Sequence, residues 1–321
     1  MTPVNIDSGG LHRIRQLYQE GLIDRGTLRD RFSVTRLCFA DVADSLDGSS
    51  IAKISISSSG LVLDFHSGVR LNWDPQDYGT PCSLAYSQGS YEPDETALML
   101  DLARGKSVFV DVGANIGWFT LHLASVLAPN SRRIFAFEPV AATVAALRAN
   151  AVLNGLGDTV TVLHSGVGDE VGELEFHVPQ SLRGASSLRK LFPEMTSAIE
   201  KAPVTTLDLF DAQCRPGKVD ILKCDVEGAE LMVARGGLNL IARDRPVMMF
   251  ELLRKWSLVF GYHPNAVIDL LSPLGYACFA IGKGAPRLIS AIEEETEETN
   301  FLFLAPEHVQ ERRHLEGLCV R

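Results

Sequence analysis

The chain has 321 residues, of which 46% are hydrophobic and 22% charged, as in a globular protein with a large core. Its net charge is −10 and no block of lysine or arginine occurs, which argues against binding nucleic acid through phosphate contacts. No apolar run approaches the ~18 residues of a membrane span, and the N-terminus lacks a signal-peptide pattern. Six scattered cysteines without a C-x-x-C pair predict neither a zinc site nor a disulfide framework, and they fit a cytoplasmic protein.

Residues 1–90 are expected to form a small α+β extension before the main domain. Residues 11–31 alternate apolar and charged positions at helical spacing with two interrupting glycines, which predicts two short helices. Residues 51–73 change to a period of two, separated by serine–glycine turns, which predicts a β-meander or a pair of hairpins. A loop rich in proline and glycine follows, and we expect the domain boundary at its end.

Residues 91–321 are expected to form an α/β domain, because strand and helix patterns alternate along them. The predicted strands are 108–112, 133–138, 160–164, 219–225, 246–252, 276–281 and 300–304. The predicted helices are 93–103, 117–127, 140–153, 229–235 and 264–271. No helix separates the last two strands, so they must pair antiparallel. The acidic run between them, residues 293–298, is interpreted as a solvated loop. The expected architecture is a seven-stranded sheet with a reversed last strand.

The most specific segment is SVFVDVGANIGWFTLHLA, residues 107–124. A short apolar strand ends at Asp111, and Gly113, Asn115 and Gly117 lead into a helix. A strand, a glycine turn and a helix N-terminus together form a nucleotide-type cofactor site, since glycine lets the backbone approach a ligand. Glu138 ends the second strand, where an acidic residue can accept both ribose hydroxyls of an adenosine.

The carboxylate of Asp111 favours S-adenosylmethionine as the cofactor. It would repel a pyrophosphate but suits a ligand with a cationic amine and a sulfonium. A nicotinamide-dependent oxidoreductase is the alternative, because it shares the glycine turn and the ribose acid; the reversed last strand argues against it. A non-catalytic binding protein on the same fold also stays open, because a cofactor turn does not prove catalysis.

At these residues the chain resembles the FkbM family of S-adenosylmethionine-dependent methyltransferases. The similar segments are YEPDE (91–95), VDVGANIGWFTLHLA (110–124), FAFEP (135–139), LNGL (153–156), GVGDEVG (166–172), TTLDLF (205–210), DILKCDVEGAE (220–230) and PVMMFE (246–251). The resemblance implies a class I, Rossmann-like methyltransferase fold. It also implies O-methylation of a hydroxyl on a sugar, a polyketide or another secondary metabolite.

The resemblance further implies the residues of the cofactor site. They are Asp111, Gly113, Asn115 and Gly117 at the methionine end, Glu138 at the ribose, Ser165, Gly166 and Val167 at the adenine, and Glu92 near the amine. A carboxylate at position 92 is equally explained by the favourable position of an acid at a helix start.

Two carboxylates are predicted at neighbouring strand ends, Asp225 and Glu251. A carboxylate that closes an apolar strand seldom serves packing, because its burial is costly. The pair could bind Mg²⁺ with a substrate diol, or one could be the general base that a hydroxyl acceptor needs. Asp225 is also expected to contact the cofactor. His263 is the alternative base, although a histidine before a proline at a helix start is commonly structural. Glu227 and Glu230 begin the next helix, where capping alone explains acidic residues.

Residues 176–203 interrupt the strand–helix alternation and predict either a substrate lid or a surface excursion. The candidate substrate contacts are Gln180, Arg183, Ser186 and Ser187. These polar residues slightly favour a sugar, whereas Leu182, Leu188, Leu191 and Phe192 keep a polyketide open. The expected partner is a neutral or cationic small molecule with a free hydroxyl, and the sequence is compatible with a homo-oligomer.

Overall fold

The computed structural model describes residues 10–179 and 186–310. These residues divide into two compact units, residues 10–50 and residues 51–310. The division differs from the expected boundary at residue 90, because strands and a helix of residues 51–90 belong to the larger unit.

The smaller unit consists of two helices, α1 (Gly10–Gln19) and α2 (Arg25–Asp44). The side chain of Asp24 caps α2 by accepting a hydrogen bond from the Thr27 amide, 2.7 Å away. The prediction of two short helices is wrong for α2, which has 20 residues. Gly26, which we took as an interruption, lies in the first turn of α2, where it does not stop the helix.

The larger unit begins with an antiparallel meander, which confirms the period-two prediction. Its strands are β1 (Ile51–Ser57), β2 (Gly60–Phe65) and β3 (Arg70–Trp73). Helix α3 (Pro81–Gln88) follows where the sequence indicated only a loop. Thr80 caps α3 and Pro81 occupies its first turn, a position that suits proline because no helical hydrogen bond is lost there.

An eight-stranded sheet forms the centre of this unit. The remaining strands of the chain are β4 (Val108–Val112), β5 (Arg133–Glu138), β6 (Val160–His164), β7 (Gly166–Val167), β8 (Gly172–Pro179), β9 (Ser197–Thr205), β10 (Ile221–Cys224), β11 (Val247–Glu251), β12 (Ala277–Ala280), β13 (Arg287–Ile289) and β14 (Asn300–Leu304). The sheet order is β13-β12-β14-β11-β10-β4-β5-β6. Strand β14 is antiparallel to both of its neighbours, which confirms the reversed last strand. The predicted count of seven is short by the three-residue edge strand β13.

Helices cover the sheet and bury its central strands. They are α4 (Pro93–Ala103), α5 (Trp118–Ala124), α6 (Ala141–Leu153), α7 (Leu207–Cys214), α8 (Glu230–Arg235), α9 (Leu238–Asp244), α10 (Arg254–Val259), α11 (Asn265–Leu271) and α12 (Pro306–Gln310). Phe109, Phe137, Phe250 and Phe303 are fully buried, and each such side chain contributes roughly 1.5–3 kcal/mol by leaving water. None of the helices in the described ranges is both long and apolar enough to cross a membrane.

The segment 176–203 is partly a second sheet. Strands β8 and β9 pair antiparallel, and β7 pairs parallel to β9. The buried side chains of Phe176, Ala202 and Val204 pack with Leu188, which belongs to the connection between β8 and β9. A lid could therefore be formed only by that connection, because residues 176–179 and 197–203 are built into the sheet.

Candidate functional site

The glycine turn after β4 is fixed by packing on two sides. The Gly113 amide donates to the Phe137 carbonyl, 3.1 Å away, and Gly113 has φ +76°. A Cβ at Gly113 would lie 1.7 Å from the Asp225 carbonyl oxygen, and a Cβ at Gly117 (φ +99°) would lie 2.5 Å from Leu147 Cδ1. Only glycine therefore fits these two positions, whether or not a ligand is bound.

Glu138 closes β5 and holds the turn through both carboxylate oxygens. Its Oε2 accepts from the Asn115 amide at 3.1 Å and its Oε1 from the Val140 amide at 3.0 Å. Burial raises the pKa of Glu138 to about 7, although these two hydrogen bonds act in the opposite direction. Each carboxylate oxygen keeps a second lone pair, so Glu138 can still accept a hydrogen bond from a ligand hydroxyl.

A cavity of about 650 Å³, counted to its open mouth, lies beside this turn. The predicted cofactor residues that line it are Gly113, Asn115, Glu138, Ser165, Gly166, Val167 and Asp225. Phe137, Phe176, Leu188 and Val204 give it an apolar wall. An apolar wall with a few polar groups is what a nucleoside needs. Asp111, Gly117 and Glu92 are not among the described residues that line it.

Asp111 lies behind the turn rather than on the cavity surface. It is 1% exposed, and its Oδ2 accepts from the Thr120 hydroxyl at 2.6 Å. Its Oδ1 has no hydrogen-bond partner among the described residues and lies 3.9 Å from the ammonium of Lys223. Burial raises the pKa of Asp111, while Lys223 opposes the rise.

Lys223 was not assigned from the sequence, although a lysine inside the apolar strand ILKC was a visible signal. Its ammonium donates to the Gly113 carbonyl and to Asp225 Oδ2, each at 3.0 Å. Burial by itself lowers the pKa of Lys223, but Asp225, Asp111 and Glu92 outweigh burial and raise it above its usual range. Lys223 therefore stays charged inside the protein.

Asp225 and Glu251 lie side by side, as predicted, because Cys224 and Phe250 before them are register partners in β10 and β11. Oxygens of Asp225, Glu227 and Glu251 all lie within 4.8 Å of one another, and we call these three residues the carboxylate cluster. Burial and then the charge of Asp225 raise the pKa of Glu227 and of Glu251 well above their usual range. The cluster could hold a divalent cation, which prefers such oxygen ligands, or it could share protons.

Glu92 faces the carboxylate cluster from the start of α4. Its backbone is left-handed (φ +41°) and its side chain makes no capping hydrogen bond, so helix capping does not explain it. Burial and then the charge of Asp225 raise the pKa of Glu92 to about 7. The neighbouring phenol of Tyr91 also lies close enough to Glu92, Asp225 and Glu251 for their charges to act on it.

Glu230 and Glu227 have different roles. Glu230 is buried, and its Oε1 accepts from the amides of Val226 and Gly228 at 3.1 and 3.0 Å. Its Oε2 accepts from the Tyr262 hydroxyl at 3.2 Å. Glu230 thus holds the loop that presents Glu227 and does not cap α8, and of the two only Glu227 belongs to the carboxylate cluster.

His263 lies two residues before the first residue of α11. Its ring is exposed, and Nδ1 accepts from the Asn265 amide at 3.2 Å, where α11 begins. His263 is not among the described residues that line the cavity. The structural explanation therefore accounts for the contacts of His263 better than the catalytic one.

The connection between β8 and β9 contacts the side of the cavity where Glu227 lies. Ser186 and Leu188 line the cavity, and the Ser187 hydroxyl donates to the Glu227 carbonyl at 2.8 Å. The rings of Phe192 and Trp256 meet edge-on at 5.3 Å, which joins the connection to α10. The predicted contacts Gln180 and Arg183, and Leu182 beside them, lie outside the described residues.

Comparisons with known proteins identify the family of this chain. The profile of the methyltransferase FkbM domain matches residues 111–278. Methyltransferase 1 of Beauveria bassiana is 30% identical over 147 residues, 40% of this chain and 58% of that protein. The hexuronic acid methyltransferase AglP of Haloferax volcanii is 29% identical over 181 residues, 56% of this chain and 68% of that protein. The solved FkbM methyltransferase of Methylobacillus flagellatus is 17% identical with a TM-score of 0.41, covering 69% of this chain and 50% of that one. The chain thus spans less than two thirds of the length of the Beauveria relative.

Proposed function

This chain belongs to the methyltransferase FkbM family, and we propose that it is an S-adenosylmethionine-dependent O-methyltransferase. One observation carries the proposal. The cavity is bounded by the glycine turn and Glu138 at one side and by carboxylates at the other. Carboxylates beside a cofactor site favour a cationic cofactor over a phosphate-bearing one.

We assign the cavity residues to the cofactor as follows. Glu138 would accept the ribose hydroxyls, and Ser165, Gly166 and Val167 would flank the adenine against the apolar wall. The carbonyl side of the turn and the nearby Glu92 and Asp225 would surround the amine and sulfonium. When bound, S-adenosylmethionine supplies an already activated methyl group, so the protein mainly supplies alignment.

A hydroxyl acceptor must lose its proton, and the carboxylate cluster provides the base. Burial and neighbouring charge raise the pKa of Glu227 and of Glu251 well above the usual range, which favours the protonated form of each. Asp225 differs from them in bonding directly to the Lys223 ammonium. We therefore assign Asp225 as the base, with Glu251 beside it. If Mg²⁺ is bound, the same three carboxylates would hold it and would orient the acceptor oxygen instead.

The acceptor that suits this site is neutral or cationic and carries a free hydroxyl, as a sugar unit or a polyketide-like metabolite does. Carboxylates at the acceptor side would repel an acceptor of negative charge. A hexuronic acid, the substrate in the name of the Haloferax relative, would need a cation between its carboxylate and the cluster. We propose that the enzyme acts in the cytoplasm on such a small molecule, not on nucleic acid.

A methyl-transfer assay tests the proposal. The purified protein is incubated with labelled S-adenosylmethionine and a panel of hydroxylated sugars and polyketides, with and without Mg²⁺, and products are analysed by mass spectrometry. We expect a product heavier by one methylene unit with the label on oxygen. Hydride transfer with a nicotinamide cofactor, or a label on nitrogen, carbon or nucleic acid, would contradict it.

A further inference from the structure

Lys223 is a buried lysine to which the proposed reaction gives no role. Its side chain is 6% exposed, and every residue of its strand, β10, is buried. It pairs in register with Asp111 of β4, and Asp225 follows it two residues later on the same strand path. A lysine is rarely buried unless its charge is paired, so these contacts are the reason that it can stay there.

The ammonium of Lys223 joins the two halves of the site. One bond goes to the carbonyl of Gly113 in the cofactor turn, and the other goes to Oδ2 of Asp225 at the carboxylate cluster. The same two segments touch directly, since a Cβ on Gly113 would overlap the Asp225 carbonyl oxygen. Lys223 is thus a cross-strand brace placed where the turn meets the acceptor side.

The nature of the bonds distinguishes a brace from charge balance. A cation anywhere near Asp225 would neutralise its charge. A hydrogen bond to the neutral Gly113 carbonyl, in contrast, also fixes the position of the cofactor turn. The aromatic ring of Phe119 lies 5.7 Å from the ammonium on the α5 side and limits where it can move. Transfer of a methyl group needs donor and acceptor in line, so the separation of turn and cluster matters for rate.

We propose that Lys223 is a positioning residue, which sets the cofactor turn and the carboxylate cluster at a fixed separation. This inference rests on the proposed function, because it assigns the turn to the cofactor and Asp225 to the acceptor. Lys223 touches neither ligand in this account; it acts through the Gly113 carbonyl and the Asp225 carboxylate.

The test uses Asp225→Asn as its background, because Lys223→Met alone leaves buried carboxylates without their cation and could unfold the protein. S-adenosylhomocysteine binding is measured by calorimetry for wild type, Asp225→Asn and Lys223→Met/Asp225→Asn, with thermal unfolding of each. Lys53→Met, at an exposed lysine of the meander, is the matched control. The affinity of Asp225→Asn is the reference, and we expect the double variant to bind about tenfold more weakly than Asp225→Asn at a similar melting temperature.

Equal affinities of Asp225→Asn and the double variant would overturn the inference, because they would show that Lys223 only balances the charge of Asp225. Failure of wild type to bind would instead contradict the proposed function. With an acceptor from the panel, Lys223→Met protein that remains folded should lose kcat by about 10²-fold with little change in the KM for the acceptor. A loss of kcat that is only proportional to the loss of folded protein would also overturn the inference.

Discussion

The two sides of the site are built by different means. On the cofactor side, the backbone and glycines of a single segment form the surface, and Glu138 secures it through two amides. On the acceptor side, the carboxylate cluster comes from the end of β10, the loop that follows it and the end of β11, and Glu92 faces it from the start of α4. A local segment fixes the first side, whereas the second depends on how distant segments meet. Substitutions that add bulk should therefore disrupt the cofactor side, whereas substitutions that change charge should disrupt the acceptor side.

The largest expected effect is on the cofactor side. Gly113→Ala forces a Cβ onto the Asp225 carbonyl oxygen at a left-handed residue, so we expect a stability loss of about 2–5 kcal/mol and loss of S-adenosylhomocysteine binding. Gly155→Ala is the control, because Gly155 is also left-handed (φ +70°) but has open space around it. Denaturant unfolding that shows equal losses for the two variants would contradict the packing account.

On the acceptor side, Asp225→Asn and Glu251→Gln should fold normally and lose turnover by at least ~10²-fold, the scale of a lost base or metal ligand. Treatment with a chelator separates these roles, since a loss that Mg²⁺ restores identifies a metal. Steady-state rates equal to wild type in both variants would move the chemistry away from the carboxylate cluster.

The charge of the acceptor side also predicts a pH effect on stability. The pKa of Glu92 is about 7 in the folded protein and near 4.5 when exposed, so the folded state holds the extra proton between these values. Stability from this group is therefore present at low pH and declines as the pH rises toward 7. Glu92→Gln removes the charge. The free energy of unfolding of this variant relative to wild type should therefore rise by about 1–3 kcal/mol between pH 5 and pH 8, and its relative melting temperature should rise with it. A difference that stays constant with pH would contradict the buried-charge account.

The smallest effect is expected at His263. Its contacts are those of a helix start, so His263→Ala should keep the wild-type turnover and lose at most about 1 kcal/mol of stability. A large fall in turnover at unchanged stability would restore His263 as a candidate base.

The difference between the two sides also explains what the sequence could predict. Strand β4, the turn and Glu138 are close in sequence, so their pattern alone indicated both the sheet and the cofactor cavity. Lys223 was overlooked because a lysine inside an apolar strand signals a buried charge but not its partners, and only the fold shows that it bonds the turn and Asp225. Register between β10 and β11 could be expected, but the approach of Glu227 depends on a loop held by Glu230.

Other errors have local physical causes. Pro81 was expected to lie in a loop, whereas it is the first residue of α3. We expected the segment 176–203 to be an insertion, because no helix separates its two strands and the sequence does not show that these strands pair with each other. The acidic run 293–298 was expected to be a solvated loop, and Glu293, Glu294 and Glu295 are exposed. Its backbone carbonyls, however, accept hydrogen bonds from the guanidinium of Arg254, which no charge pattern could show.

The most direct test of the central claim is calorimetric binding of S-adenosylhomocysteine to wild type and to Glu138→Ala. We predict wild-type binding in the micromolar range, roughly −8 kcal/mol, and a loss of about 1–3 kcal/mol in the variant, because a ribose hydroxyl loses its partner. Absence of binding by wild type, or tight binding of a nicotinamide dinucleotide in its place, would contradict the account.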